Sequence, residues 1–123
     1  MIILNSKAPM KYVKNRDLRE EIIRCKDASL AYSDELIEMF TLIAERLSHK
    51  FYYVDPMDGD DCRQQAVMDM FMYWKGYNPE KSPNAFAYIT QIAKNGMAKG
   101  WNKLHPLSNL ERISYSGKKI HTL

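Results

Sequence analysis

Between Asp34 and Leu47 the apolar residues Leu36, Ile37, Phe40, Ile43, Ala44 and Leu47 recur at steps of one and three. That spacing gathers side chains on one side of an α-helix and predicts a broad buried stripe. The stretch "SDELIEMFTLIAERLSHKF" also carries start signals: Ser33 as N-cap, then Asp34 and Glu35 in the first turn, where the helix dipole favours negative charge. Upstream, "NRDLREEIIRCKD" offers Asn15 as N-cap and places Leu18, Ile22 and Ile23 on one face. A third helix is expected from about Asp60 to Trp74. Its Val67, Met70, Phe71 and Trp74 turn inward, while Asp61, Gln64, Gln65, Met68 and Met72 line another side. The fourth, "SPNAFAYITQIAKNGMAKGWNK", starts with Ser82 as N-cap and Pro83 at the first helical position. Here Phe86, Ile89, Ala93, Gly96, Met97 and Gly100 form an apolar stripe with small residues, suited to close packing against another helix. Opposite them, Tyr88, Gln91, Asn95, Lys99 and Asn102 fall within a wedge of roughly 80°. Taken alone, that wedge reads as a solvated face.

Turn chemistry separates these helices. "VDPMDGDD" joins the second to the third and "KGYNPEKSP" the third to the fourth, both rich in Pro, Gly, Asn and Asp. No repeat appears and no segment reads as a strand. The expected fold is all-α, a compact bundle of about four helices over residues 1–103, followed by a basic extension over 104–123. That extension holds a short helical hint at Leu107–Ile113 before a polar, mobile end.

A length of 123 residues suits one domain with a modest core. No apolar run reaches the roughly 18–20 residues of a membrane span, and "MIILN" is too short and lacks the basic flank of a secretory leader. Cys25 and Cys62 have no CxxC spacing, so both are read as reduced and the compartment as cytoplasmic. Charge changes the picture more. Residues 1–93 carry 12 basic and 14 acidic side chains, whereas residues 94–123 carry 6 basic and one acidic. A chain with a polyanion-facing end shows such asymmetry, and so does any protein with a basic tail.

Catalytic and metal chemistry finds little support. With Gly59 set at position six of a calcium loop, Val54 and Pro56 fall at the first and third ligand places, so the cluster Asp55, Asp58, Asp60 and Asp61 fails that pattern. His49, His105 and His121 have no metal-ligand spacing. No GxSxG, HExxH, P-loop or GxGxxG occurs. The chain is read as a non-enzyme with no cofactor and no metal.

"DDCRQQAVMDMFMYWKGYNPEKSPNAFAYITQIAKNGM" resembles region 2 of bacterial sigma factors, and more closely the short late-transcription sigma factors of large tailed phages. The resemblance extends upstream through "KYVKNRDLREEIIRCK" and "LIAERLSHKF", covering roughly residues 11 to 103, with "NAFAYITQIAKN" its most specific string. It implies a sigma-like initiation factor of a phage-infected bacterial cell, which binds core RNA polymerase and directs it to AT-rich −10-type late promoters. By the resemblance, Asp61, Arg63, Gln64 and Gln65 dock on a coiled coil of the polymerase largest subunit, with Met68 and Met72 one and two turns on. Tyr88 aligns with the aromatic residue that stacks on a flipped-out adenine, and Asn95 with an amide that contacts an upstream base pair. Lys94, Lys99 and Lys103 would meet backbone phosphates, and Phe86, Gln91 and Trp101 complete the expected DNA face.

Three departures qualify the match. Gln91 and Ile92 stand where primary sigma factors place two tryptophans, so the duplex-opening wedge is weaker or falls to Phe86, Tyr88 or Trp101. No second helix-turn-helix follows for an upstream element. The end "SGKKIHTL" is basic, whereas phage late sigma factors end in an acidic–hydrophobic tail that engages the sliding clamp. A sliding clamp or coactivator is therefore an open further partner. Two rival readings stand beside this one: a small polymerase-binding regulator that does not read DNA, and a metal-dependent nuclease built on Asp55–Asp61.

Overall fold

The computed structural model describes residues 12–50 and 55–106. They form four helices: α1 (Asn15–Asp27), α2 (Asp34–Ser48), α3 (Pro56–Tyr73) and α4 (Ala85–Leu104). A single 3-10 turn, Trp74–Gly76, closes α3. Among the described residues there is no strand, and the expected all-α bundle is what the chain adopts. The hint at Leu107–Ile113, the N-terminal apolar residues and the basic end lie outside the described residues.

Helices α3 and α4 form the most extensive helix pair, and small residues are the reason. Cys62 and Ala66 on α3 face Gly96 and Gly100 on α4, all buried. A Cβ on Gly96 would stand 2.8 Å from the Ala66 Cα, closer than side chains tolerate. Backbones meet where side chains are missing. Across this pair lie α2 and α1, which contribute Leu36, Phe40, Ala44, Leu18 and Ile22 to one core containing Trp74, Tyr77, Met70 and Ile89. Buried Trp74 donates its indole N–H to the Ala31 carbonyl at 3.2 Å, so the largest core side chain leaves no orphan donor.

Several boundaries depart from the sequence reading. The third helix begins at Pro56, four residues before the expected start, because Asp55 caps it by accepting the Met57 N–H and proline suits the first turn. Much of the expected acidic loop is thus helix. The fourth helix begins at Ala85, with Asn84 as N-cap accepting the Ala87 N–H, while the Ser82 hydroxyl accepts the Asn84 N–H one step earlier. Ser82 and Pro83 therefore precede the helix. Ser33 caps α2 as expected. Asn15 does not cap α1: Lys14 holds that position with no side-chain bond, and the Asn15 amide is committed elsewhere. Ile37, expected in the stripe of α2, is exposed, and Met39 is buried in its place.

Candidate functional site

Starting α3 at Pro56 lengthens its outer stripe. Met57, Asp61, Gln64, Met68 and Met72 follow at steps of four, three, four and four, all exposed and all opposite the buried Cys62, Ala66 and Met70. Met57, Met68 and Met72 are 66%, 56% and 62% exposed. Three adaptable thioethers flanking a carboxylate and an amide can accept a partner helix without a preformed pocket. Met57 was missed in the sequence; its spacing to Asp61 and Gln64 would have revealed it had the helix start been placed at the proline. Two residues expected on this face stand apart from it. Arg63 pairs with Asp60 at 2.6 Å on one flank. Gln65 lies at the seam with α4, donating to Asp69 at 2.9 Å and accepting from Lys103 at 3.3 Å.

The eight residues expected to meet DNA divide among several sides of α4. Tyr88, Gln91 and Asn95 stay on its outer face, as the helical spacing required. Gln91 donates to Asn95 at 3.0 Å, so the two amides present themselves as one hydrogen-bonded pair. Tyr88 is held from beneath: its ring lies 5.6 Å from that of buried Tyr77, and its hydroxyl reaches Gly76 so closely that a Cβ there would stand 2.6 Å away. Tyr77 is fixed in turn, donating its hydroxyl to the Ser82 carbonyl at 2.6 Å, while Lys26 donates to the Tyr77 carbonyl. The result is a positioned ring, 38% exposed.

Lys99 and Lys103 turn to the seam instead. Lys99 forms an ion pair at 2.9 Å with Asp69, a carboxylate 3% exposed, and this hydrogen bond raises the lysine above its ordinary pKa. The seam is thus a network of Asp69, Gln65, Lys99 and Lys103, in which Lys99 answers a carboxylate the protein itself buries and Lys103 joins through the Gln65 amide. Trp101 sits at the far end, stacked 4.4 Å from the His105 ring, which contacts Asp58 at 2.8 Å and ties the end of α4 to the start of α3.

Phe86 and Lys94 lie on the other flank, toward α2. With Thr90 they follow at i, i+4 and i+8 and border a cleft of about 610 Å³ whose far wall is α2 and the segment before α1. Among the described residues no group of three His, Cys, Asp or Glu side chains could hold a metal ion, and Asp55, Asp58 and Asp60 each engage a partner within the protein. No helix among the described residues is long and apolar enough to cross a membrane. No family model matches the chain, and no curated protein or solved structure matches it either.

Proposed function

We propose that this chain is a sigma-like initiation factor that docks on core RNA polymerase through the outer stripe of α3 and engages AT-rich −10-type promoter DNA through the outer face of α4. The observation that carries the reading is the setting of Tyr88: an aromatic ring braced on Tyr77 and Gly76, about one and two turns from Gln91 and Asn95, the amide pair on the same face. An exposed ring so placed can take a base extruded from the duplex, gaining roughly 1–3 kcal/mol by stacking. An amide can match the acceptor and donor that adenine offers in the major groove. Together they suit trapping of a flipped base beside a read base pair, which offsets part of the unstacking cost. The protein itself performs no chemistry in this reading.

The seam network bears on the balance of the two functions. With Lys99 and Lys103 engaged by α3, the DNA face has few free cations, so affinity for duplex DNA without polymerase is low and docking on polymerase is the larger interface. The same observation favours the second reading, a polymerase-binding regulator that does not read DNA. Two variants separate them. Gln64→Ala should weaken co-elution with bacterial core RNA polymerase in gel filtration. Tyr88→Ala should leave co-elution intact and impair opening of a −10-type promoter. Normal opening by Tyr88→Ala would leave the regulator reading standing, and no co-elution of the folded wild-type chain would overturn both.

A further inference from the structure

Phe86 and Lys94, expected to meet DNA, border the cleft between α4 and α2, and its remaining walls enter none of the readings above. Its volume of about 610 Å³ falls in the range of small-ligand sites, roughly 300–1,000 Å³. Arg46 and Lys50 border it from α2 and its end, and Lys94 from α4. No carboxylate borders it among the described residues. Neither Lys50 nor Lys94 has an ion pair among those residues. This differs from the opposite flank of α4, where Lys99 is neutralised by Asp69. The cleft also has two aromatic walls, Tyr12 and Phe86, both exposed. Val13, Ile43 and Leu47 give it an apolar floor.

We infer that this cleft is a binding site for one nucleotide unit, its base against the Tyr12 and Phe86 rings and its phosphate on Lys50 and Lys94. Each part of the ligand answers a feature of the cleft. Exposed aromatic rings over an apolar floor take the flat face of a base, and stacking tolerates any base because every base has a π-face. Lys50 and Lys94, without an ion pair among the described residues, attract an anion, and ammonium groups suit the oxygens of a phosphate. A bare anion would not use the rings, and an uncharged aromatic would not use the cations. The size of the cleft suits about one nucleotide. Such a unit arrives either as a free nucleotide or as an unpaired nucleotide within a single strand. The inference rests on the cleft alone and holds whether or not the chain docks on polymerase.

The test is titration of the isotope-labelled full chain, followed by amide NMR, with four probes: adenosine monophosphate, adenosine, inorganic phosphate and a single-stranded hexanucleotide. Expected are saturable shifts at Val13, Thr90 and Lys94 with the monophosphate or the hexanucleotide, at least tenfold tighter than with adenosine or phosphate. The double substitution Lys50→Ala with Lys94→Ala should weaken that binding at least tenfold with the fold retained by circular dichroism, and Tyr88→Ala should leave it unchanged. Tighter binding of the monophosphate would identify a free nucleotide as the source, and tighter binding of the hexanucleotide a strand. Equal response to phosphate and monophosphate, or no shift at these residues at millimolar probe, would overturn the inference.

Discussion

The Asn15 side chain accepts the Phe86 backbone N–H at 2.9 Å and donates to the Pro83 carbonyl at 3.1 Å, across 71 and 68 positions of sequence. Asn84 takes the Ala87 N–H, so two asparagines from distant segments share the open donors in the first turn of α4. The start of the helix that carries Tyr88 is therefore fixed by α1. Asn15→Ala leaves the Phe86 N–H to water and should destabilise the fold by about 0.5–2 kcal/mol, as loss of a cap does. Asn15→Asp keeps the acceptor and adds negative charge at a helix N-terminus, so it should lose less. Urea unfolding of the three proteins checks the order.

The small-residue seam predicts a difference between two glycines one turn apart. Alanine at either position gains about 1 kcal/mol in helix propensity. At Gly96 the new Cβ meets Ala66 Cα at 2.8 Å and Gln65 carbonyl oxygen at 3.2 Å, both backbone, so neither can turn aside. Overpacking of that kind costs about 1–3 kcal/mol, and Gly96→Ala should be destabilising on balance. At Gly100 the nearest contact is 3.1 Å and the next belongs to the Gln65 side chain, so Gly100→Ala should fall near neutral. Chemical denaturation of both variants tests this, and equal losses would contradict it.

Ser29 holds a left-handed backbone with φ of 58°, the one such non-glycine among the described residues. It follows the end of α1, where the Leu30 N–H bonds the Cys25 carbonyl and the Ser29 N–H bonds the Lys26 carbonyl, the pattern that closes a helix with a glycine-like residue. Serine bears a Cβ penalty there that glycine lacks. Ser29→Gly should raise stability by about 0.5–1 kcal/mol, read as a higher thermal midpoint.

Glu21 gives the fold an acid-sensitive tie. Its carboxylate accepts from Arg24 at 2.6 Å, from the Ser33 hydroxyl and from the Cys25 thiol at 3.6 Å, linking α1 to the cap of α2. The Arg24 hydrogen bond, opposed by partial burial and aided by Ser33, holds Glu21 below its ordinary value of 4.5. A depressed carboxylate contributes stability that is complete above its unfolded value and fades as pH falls through its folded one. Glu21→Gln should therefore lower stability at pH 7 and narrow its gap to the wild type below about pH 4, in thermal melts across that range.

Gly76 offers a way to move Tyr88 without removing its ring. A Cβ at Gly76 would meet only the far end of the Tyr88 side chain, at 2.6 Å, and that end can swing aside. Gly76→Ala should thus leave stability within about 1 kcal/mol of the wild type. If the proposed function holds, it should slow promoter opening in the presence of core polymerase while leaving co-elution unchanged. Opening at the wild-type rate would mean that the braced position of Tyr88 is not what the DNA face uses.

Much of this was legible in the residue pattern because it depends on periods of a few residues. The stripe of α2, the Ser33 cap, the small-residue face of α4 and the outward set Tyr88, Gln91 and Asn95 all follow from 3.6 residues per turn and local capping chemistry. Asp61, Gln64, Met68 and Met72 were legible for the same reason, and Met57 would have been with the correct helix start. What the pattern cannot fix is which flank of a helix meets which neighbour. Lys94 and Lys99 are both basic residues of α4, expected alike to meet phosphates. Packing gives Lys99 a buried carboxylate from α3 and sets Lys94 beside a cleft formed with α2. Asn15 likewise looked like a local cap, and only the docking of α1 against the start of α4 turned its amide to another helix. Local geometry sets the faces of each helix; their partners are chosen by long-range packing, where a single chain's spacing carries no information.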